Sequence, residues 1–423
     1  MNIKLFVALG LVTIMQACST NISPLSWDYS DRDIVGSPPQ KSDQIDIDIY
    51  IDATTSMQGF AVNETSVYSQ FLDQLEASTL TAWKKADPRY FKFGERIRPV
   101  DRAGFLAAKK NLEFYRERDI FMRTYIDSVV NRTETSRLSV LITDLFQDEG
   151  DVNIMVDRIK SKCFAKGVMV GVVGVKSDFR GNVYDVPGYP AGYPLDSKER
   201  PFYMLMFGNQ YNMELLFDAM KSKPFVKEDQ FLVFTNNIVK SYNVSLTKTP
   251  KSQFVNKKAP VKDQKNSFDF SMKEKGTDAQ FNLELDVNRN PRCADFDENN
   301  LQVTVYKKSA NDPKVVKTDS VSTNDIQVQN IQRKGNKVTA MVTLKSEDPV
   351  GNYSYLVYLQ VNPLNGLKTP RWIRDFSTER PVPNTASASL TYNLDKLTSA
   401  LLIANATAAP TYLAKFYINI FKR

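Results

Sequence analysis

The sequence predicts a doubly wound, mainly parallel α/β sheet, followed by an all-β sandwich-like domain and a short C-terminal helix and strand. Three observations support this fold class. Between residues 44 and 242, apolar strands alternate with segments whose apolar residues recur at helical spacing, as in sheets built with right-handed crossovers. Beyond Tyr242 the apolar period changes to two, which indicates half-buried strands. After the PVPN sequence at 381–384, helical spacing returns before a last strand.

Length and composition fit several folded parts, since 42% of the 423 residues are hydrophobic and 24% are charged. The predicted parts are a signal peptide at 1–17, a flexible tether at 18–43, an α/β domain at 44–242, a β-sandwich domain at 243–384 and a C-terminal helix and strand at 385–423. The net charge of +7 is spread along the chain, so we expect no nucleic-acid partner. The densest basic stretch, Lys248 to Lys275, is either a solvated face of a strand or a binding patch.

The α/β domain opens on IDIDIYIDATTSMQGF, residues 45–60, in which a buried strand ends at Asp52. Thr54 and Ser56 follow at alternate positions, so one loop offers a carboxylate and two hydroxyls. These are hard oxygen ligands, which suit Mg²⁺ or Mn²⁺. The same residue types also cap helices, so the loop alone leaves both interpretations open.

A second strand, LSVLIT at 138–143, ends in Asp144 and leads through the acidic loop FQDEGD to a helix. Ligands of open α/β sheets bind beyond the carboxyl ends of the strands. Asp52 and Asp144 each lie at such an end, so we expect the two carboxylates to converge. The acidic residues Asp148, Glu149 and Asp151 either extend the site or cap the next helix.

The N-terminus has the pattern of a secretory signal. Lys4 precedes the apolar run Leu5 to Met15, which is too short to span a bilayer, and Cys18 follows. The segment resembles a bacterial lipoprotein signal peptide, which implies lipidation of Cys18 and anchoring in the cell envelope, with Ser19 favouring the outer membrane and its periplasmic or surface face. The alternative is an ordinary signal peptide that is cleaved near Cys18 and leaves a soluble periplasmic protein.

Histidine is absent from the chain, which excludes Ser-His-Asp and Cys-His catalysis and histidine-ligated zinc or haem. Cys163 continues an apolar helical stripe, while Cys293 lies in a polar loop of the predicted β domain. An oxidising compartment allows a disulfide, but these positions favour two unpaired thiols.

The D-x-T-x-S sequence of Asp52, Thr54 and Ser56, together with LITD ending at Asp144, resembles the metal-ion-dependent adhesion site of von Willebrand factor A domains. The resemblance covers about Ile45 to Lys240 and implies a Rossmann-like domain that holds a divalent cation. In that family a threonine from a middle loop completes the site. Here a helix is predicted over Asp119 to Asn131 with Thr124 inside it, so either Asp119 substitutes or water takes that position.

The resemblance implies a membrane-anchored, non-enzymatic binding protein that engages a protein partner offering a carboxylate to the cation. One alternative is metal-dependent phosphoryl transfer with Asp52 as nucleophile, although Thr54 stands where that chemistry has a second acid. Another is an envelope scaffold lipoprotein whose metal site is vestigial.

Overall fold

The structure is a computed structural model that describes residues 27, 30–36, 43–118, 120, 123–145, 152–248, 265–272, 278–309, 316–318, 326–345 and 349–422. The predicted signal peptide with Cys18, the candidate ligand Asp119 and the acidic residues Asp148, Glu149 and Asp151 lie outside these ranges. No helix within them is long and apolar enough to cross a membrane.

The first part of the chain builds a seven-stranded sheet in the order β3-β2-β1-β4-β6-β5-β7. Its elements and the short helix that precedes them are α1 (Arg32–Val35), β1 (Gln44–Asp52), α2 (Val67–Thr81), β2 (Lys85–Phe93), β3 (Ile97–Val100), α3 (Arg102–Ala107), α4 (Ile126–Val130), β4 (Arg137–Thr143), α5 (Val152–Lys162), β5 (Met169–Val183), β6 (Tyr193–Gly208), α6 (Gln210–Met220) and β7 (Phe231–Phe234).

The sheet is mixed, so the prediction of a mainly parallel sheet is wrong. Strands β2 and β4 run parallel to β1, which lies between them, but β3, β6, β5 and β7 each join their neighbours antiparallel. The reason lies at 184–192, where β5 and β6 are joined by a short turn rich in Pro, Gly and Tyr and not by a crossover helix. Without that helix the chain folds straight back, and β6 is inserted between β4 and β5.

Helices cover both faces of this sheet. Residues Ile49 and Ile51 of β1 pack on the side of α2, whereas Tyr50 packs on the side of α5. Successive strand residues point to opposite faces, so the isoleucines of β1 line one face while Asp48, Tyr50 and Asp52 lie on the other. The buried Asp48 is paired there with Arg89 and Arg137. Helix α2 starts where the Ser66 side chain accepts a hydrogen bond from the Ser69 amide.

The second part is rich in antiparallel strands. Its elements are β8 (Val239–Lys248), β9 (Ser267–Met272), β10 (Ala279–Arg289), β11 (Asp295–Phe296), β12 (Leu301–Ser309), β13 (Val316–Thr318), β14 (Ile326–Lys334), β15 (Lys337–Leu344), β16 (Gly351–Val361), β17 (Leu367–Lys368), α7 (Arg371–Phe376), β18 (Ser377–Thr378), α8 (Thr385–Ala388), β19 (Thr391–Tyr392), α9 (Leu394–Ala408) and β20 (Tyr412–Lys422). Two sheets, β14-β15-β10-β8 and β13-β12-β16-β20-β9, share one apolar core. Between them the rings of Phe270 and Phe281 stack with centroids 4.9 Å apart.

Residues 385–423, predicted as a separate C-terminal helix and strand, are divided between the two parts. The apolar face of α9, with Leu394, Leu397 and Leu401, packs with α5 in the core on one face of the seven-stranded sheet. Strand β20 pairs with β16 and β9 inside the five-stranded sheet. The C-terminus therefore ties the α/β part to the β-rich part.

The predicted flexible tether includes residues that are docked on the β-rich part. Asp33 of α1 accepts hydrogen bonds from the Lys415 ammonium at 2.8 and 3.0 Å, and Asp31 accepts one from the Tyr242 hydroxyl at 2.7 Å. Ile34 is fully buried. Because the Lys415 side chain is only 2% exposed, its charge requires a nearby acid, and α1 supplies it.

The two described cysteines, Cys163 and Cys293, are buried and unpaired. Burial raises the pKa of the Cys163 thiol to about 11, as expected for a packed rather than a reactive thiol. The prediction that Cys293 lies in a polar loop is wrong, because this residue itself forms a β-bridge with Val233 of β7 and belongs to the apolar core.

Docking of α1 can be tested with Asp33→Ala, which leaves the buried Lys415 charge without its acid. We expect a loss of about 2 kcal/mol in the free energy of unfolding, measured by chemical denaturation. The matched control is Asp43→Ala, which breaks an ion pair with Lys84 whose side chains are 70% and 78% exposed, and it should leave the midpoint unchanged. An Asp33→Ala midpoint equal to that of the control would show that α1 is not docked.

Candidate metal centre

The first loop is organised by hydrogen bonds to Asp52 at the end of β1. Oxygen Oδ1 of Asp52 accepts from the Thr54 amide at 3.0 Å and from the Thr54 hydroxyl at 2.6 Å. A 3₁₀ helix, Thr55–Phe60, follows, yet the Thr54 side chain at its N-cap makes no capping hydrogen bond. The Thr54 hydroxyl therefore serves the carboxylate, and the capping interpretation does not hold for it.

The second carboxylate reaches the same place because β4 lies beside β1 and parallel to it, with Ile142 opposite Ile51. The Ser56 hydroxyl donates to Oδ1 of Asp144 at 3.2 Å, and the Thr143 hydroxyl donates to Oδ2 of Asp52 at 2.8 Å. The expected convergence of Asp52 and Asp144 thus appears in the geometry of the two strand ends.

The backbone after Asp144 has an unusual conformation. Leu145 has a φ of +61°, in the left-handed region that non-glycine residues seldom adopt. Its amide donates to the Thr143 hydroxyl at 3.1 Å, which closes the turn around Asp144. Strained conformations of this kind persist only where surrounding contacts hold them, and they are common at functional sites.

Thr124 is a site residue that the sequence reasoning missed. Its hydroxyl donates to Oδ2 of Asp52 at 3.2 Å and lies 3.2 Å from the Thr54 hydroxyl. The predicted helix over 119–131 is wrong at 123–125, because α4 begins only at Ile126 and leaves Thr124 in the preceding loop. The Tyr125 amide anchors that loop by donating to the Gly94 carbonyl at 3.2 Å. The usable signal was the Thr-Tyr pair, since both residues are weak helix formers.

Asp52, Thr54, Ser56, Thr124 and Asp144 are all buried. Burial, together with the negative charge of Asp144, raises the pKa of the Asp52 carboxyl to about 7, and hydrogen bonds from Thr54 and Thr143 act in the opposite direction. The ordinary value is 3.8, so the folded protein holds this carboxylate at a cost unless positive charge or hydrogen-bond donors compensate it.

The oxygen cluster has the size and chemistry of a magnesium site. The Thr54 hydroxyl oxygen lies 2.6 Å from Oδ1 of Asp52 and 3.2 Å from the hydroxyl oxygens of Ser56 and Thr124. The Ser56 hydroxyl oxygen lies 3.2 Å from Oδ1 of Asp144. An octahedral Mg²⁺ with bonds of about 2.1 Å has ligand edges of about 3.0 Å. Among the described residues no group of three or more His, Cys, Asp or Glu could hold a metal, so a cation here would depend on two carboxylates and on hydroxyls.

Positive charge approaches the cluster from Arg200 on β6. Its Nη2 lies 4.0 Å from Oδ2 of Asp144, and the side chains of both residues are almost fully buried. Sequence reasoning did not connect these two residues, because β6 was placed in a parallel sheet and its insertion beside β4 was not foreseen.

Thr143→Val should lower the free energy of unfolding by about 1–3 kcal/mol, because it removes a donor to the buried Asp52 and the acceptor of the Leu145 amide without changing side-chain volume. The control is Thr81→Val, since the exposed Thr81 hydroxyl donates only to the Ala77 and Ser78 carbonyls of its own helix α2, and its change should stay within about 0.5 kcal/mol. Equal effects of the two substitutions in urea denaturation would show that the Thr143 contacts do not stabilise the site.

Comparison of the sequence with protein-family models finds no match, and a search of curated proteins finds none either. What the site does is therefore inferred from the geometry of its own residues.

Proposed function

We propose that the chain is a membrane-anchored, non-enzymatic binding protein that engages a protein partner through Mg²⁺ or Mn²⁺ in a von Willebrand factor A-like domain. The proposed ligands, directly or through water, are Asp52, Thr54, Ser56, Thr124 and Asp144. The observation that carries the proposal is that three separate loops bring these oxygens within hydrogen-bond distance of one another in a buried cluster.

The charge balance of the cluster supports binding of an acidic group. Two carboxylates neutralise a divalent cation, and hydroxyls add ligands without adding charge. A cation held in this way retains affinity for a further carboxylate, which a partner's aspartate or glutamate would supply. Without the cation, Asp52 and Asp144 would repel that acid, so partner binding would depend on the metal.

The contacts of Asp52 favour binding over phosphoryl transfer. A carboxylate nucleophile needs an oxygen lone pair directed at its substrate. Both oxygens of Asp52 accept two hydrogen bonds each, from the Thr54 amide and hydroxyl and from Thr124 and Thr143. Such a carboxylate is suited to orienting hydroxyls around an ion.

The envelope location rests on the sequence around Cys18. In addition, the Trp27 indole donates to the Ser354 hydroxyl at 2.9 Å, and α1 contacts β20. An anchor at Cys18 would therefore hold the β-rich part near the membrane through a short intervening segment.

Saturating Mg²⁺ should stabilise the wild-type protein by about 2.7 kcal/mol at one hundred times the dissociation constant, because only the folded state offers the site. Asp52→Asn and Thr124→Val should each reduce this gain, which can be measured as the shift in thermal midpoint between Mg²⁺ and a chelator. Asp196→Asn serves as the control, since this exposed carboxylate pairs with Arg180, and it should keep the full shift. A wild-type midpoint that does not respond to Mg²⁺ or Mn²⁺ would reject the metal centre and favour the scaffold alternative.

Cys18→Ser should release the protein from the membrane fraction, because lipidation requires the cysteine thiol. The measurement is fractionation of cells that express the full-length chain, followed by detection of the protein in membrane and soluble fractions. If Cys18→Ser stays with membranes as the wild type does, the lipid anchor is absent.

A further inference from the structure

Arg200 is buried in a way that requires explanation. Its side chain is 4% exposed, its Nη1 donates to the Ala388 carbonyl at 2.5 Å, and its guanidinium lies over the Phe179 ring at 5.1 Å. Its Nε has no hydrogen-bond partner among the described residues. A buried guanidinium needs opposite charge: Asp144 of the candidate metal centre lies 4.0 Å away, and the partly buried Asp185 also interacts electrostatically with Arg200.

A segment of the C-terminal part holds Arg200 in this place. We call residues 385–392 the strap, which comprises α8, β19 and the turn between them. Besides Ala388, the strap contacts β6 through Ser389, whose hydroxyl lies 2.9 Å from that of Ser197, and through Thr391, whose hydroxyl lies 2.7 Å from that of Tyr203. The strap therefore lies along β6, and β6 is the neighbour of β4, whose last residue directly precedes Asp144.

The first loop of the metal centre is in contact with the same group of residues. A Cβ atom on Gly59, in the 3₁₀ helix after Thr54, would come within 2.4 Å of the Phe179 ring that lies under Arg200. Because Phe179 packs between Arg200 and Gly59, a displacement of Arg200 would shift Phe179 and, through Gly59, the loop that carries Thr54 and Ser56. Closely packed groups of this kind move together.

We propose that Arg200 and the strap form a latch on the metal centre, in which the Arg200 guanidinium and a divalent cation compete for Asp144. The proposal rests on the proposed function, since it concerns regulation of the same site. Two positive charges near one carboxylate repel each other, most strongly where water is excluded. Binding of the cation therefore weakens the hold on Arg200, releases the strap from β6 and gives the partner's carboxylate access to the ion.

The first test titrates the full chain with Mn²⁺ and measures the unbound ion by its electron paramagnetic resonance signal. Arg200→Gln removes the competing charge and should tighten Mn²⁺ binding by about tenfold, whereas Arg200→Lys keeps the charge and should remain near wild type. The control Arg292→Gln changes another buried arginine over a phenylalanine ring, one that pairs with Asp218 and Glu228 instead of a site residue, and it should bind as wild type does.

The second test needs no variant and so does not depend on how Arg200→Gln folds. Hydrogen exchange of the wild-type chain with and without Mn²⁺ should show faster exchange of the strap amides when the ion is bound, with the amides of β16 unchanged as the internal control.

The outcomes separate the latch from the metal centre. If the wild type binds Mn²⁺ but Arg200→Gln binds with equal or lower affinity, or the strap exchanges no faster with the ion, the latch is overturned and the metal centre stands. If Arg200→Gln binds Mn²⁺ and the wild type does not, the latch is supported, because the Arg200 charge then prevents binding of the ion altogether. If no form binds Mn²⁺, the metal centre fails and the latch with it.

Discussion

Two carboxylates, Asp52 and Asp144, leave adjacent parallel strands and are buried side by side, and much of the surrounding structure follows from the need to compensate them. Each charge removed from water costs several kcal/mol unless donors or opposite charge replace the lost hydration. The hydroxyls of Thr54, Thr124 and Thr143 donate to Asp52, and the left-handed turn at Leu145 shapes the backbone next to Asp144. A structure that served only to fill a core would place apolar side chains at these strand ends.

Arg200 and a divalent cation are two alternative sources of positive charge for the buried Asp144 carboxylate. The arginine brings one positive charge to within 4.0 Å of Asp144 and is fixed from outside the sheet by the strap. A divalent cation would bring two positive charges to the centre of the oxygen cluster. A partner's carboxylate could then bind that ion only if the cluster is open to solvent. If the proposed latch operates, the enclosed cluster is compatible with the proposed binding function, because release of Arg200 would accompany occupancy by the cation.

The sequence was sufficient to predict the features that depend on local pattern. Alternating strands and helices predicted the covered sheet, and Asp52, Thr54, Ser56 and Asp144 were named because each follows an apolar strand. Thr124 was missed because apolar residues around it fit a helix that in fact starts two residues later, at Ile126. The hairpin of β5 and β6 is consistent with the Pro and Gly residues of its turn, but local sequence does not encode that β6 is inserted between β4 and β5. The meeting of Arg200 with Asp144 depends on that hairpin and on tertiary packing by the strap, which no local pattern encodes.

The central claim is that the five oxygen-bearing side chains form a cation site, and the most direct measurement is the anomalous diffraction of crystals grown with Mn²⁺. We expect one strong peak between Asp52, Thr54, Ser56, Thr124 and Asp144, with the hydroxyl hydrogen bonds of Ser56 and Thr124 replaced by contacts to the ion. An intact hydrogen-bonded cluster without a peak at saturating Mn²⁺ would contradict the account.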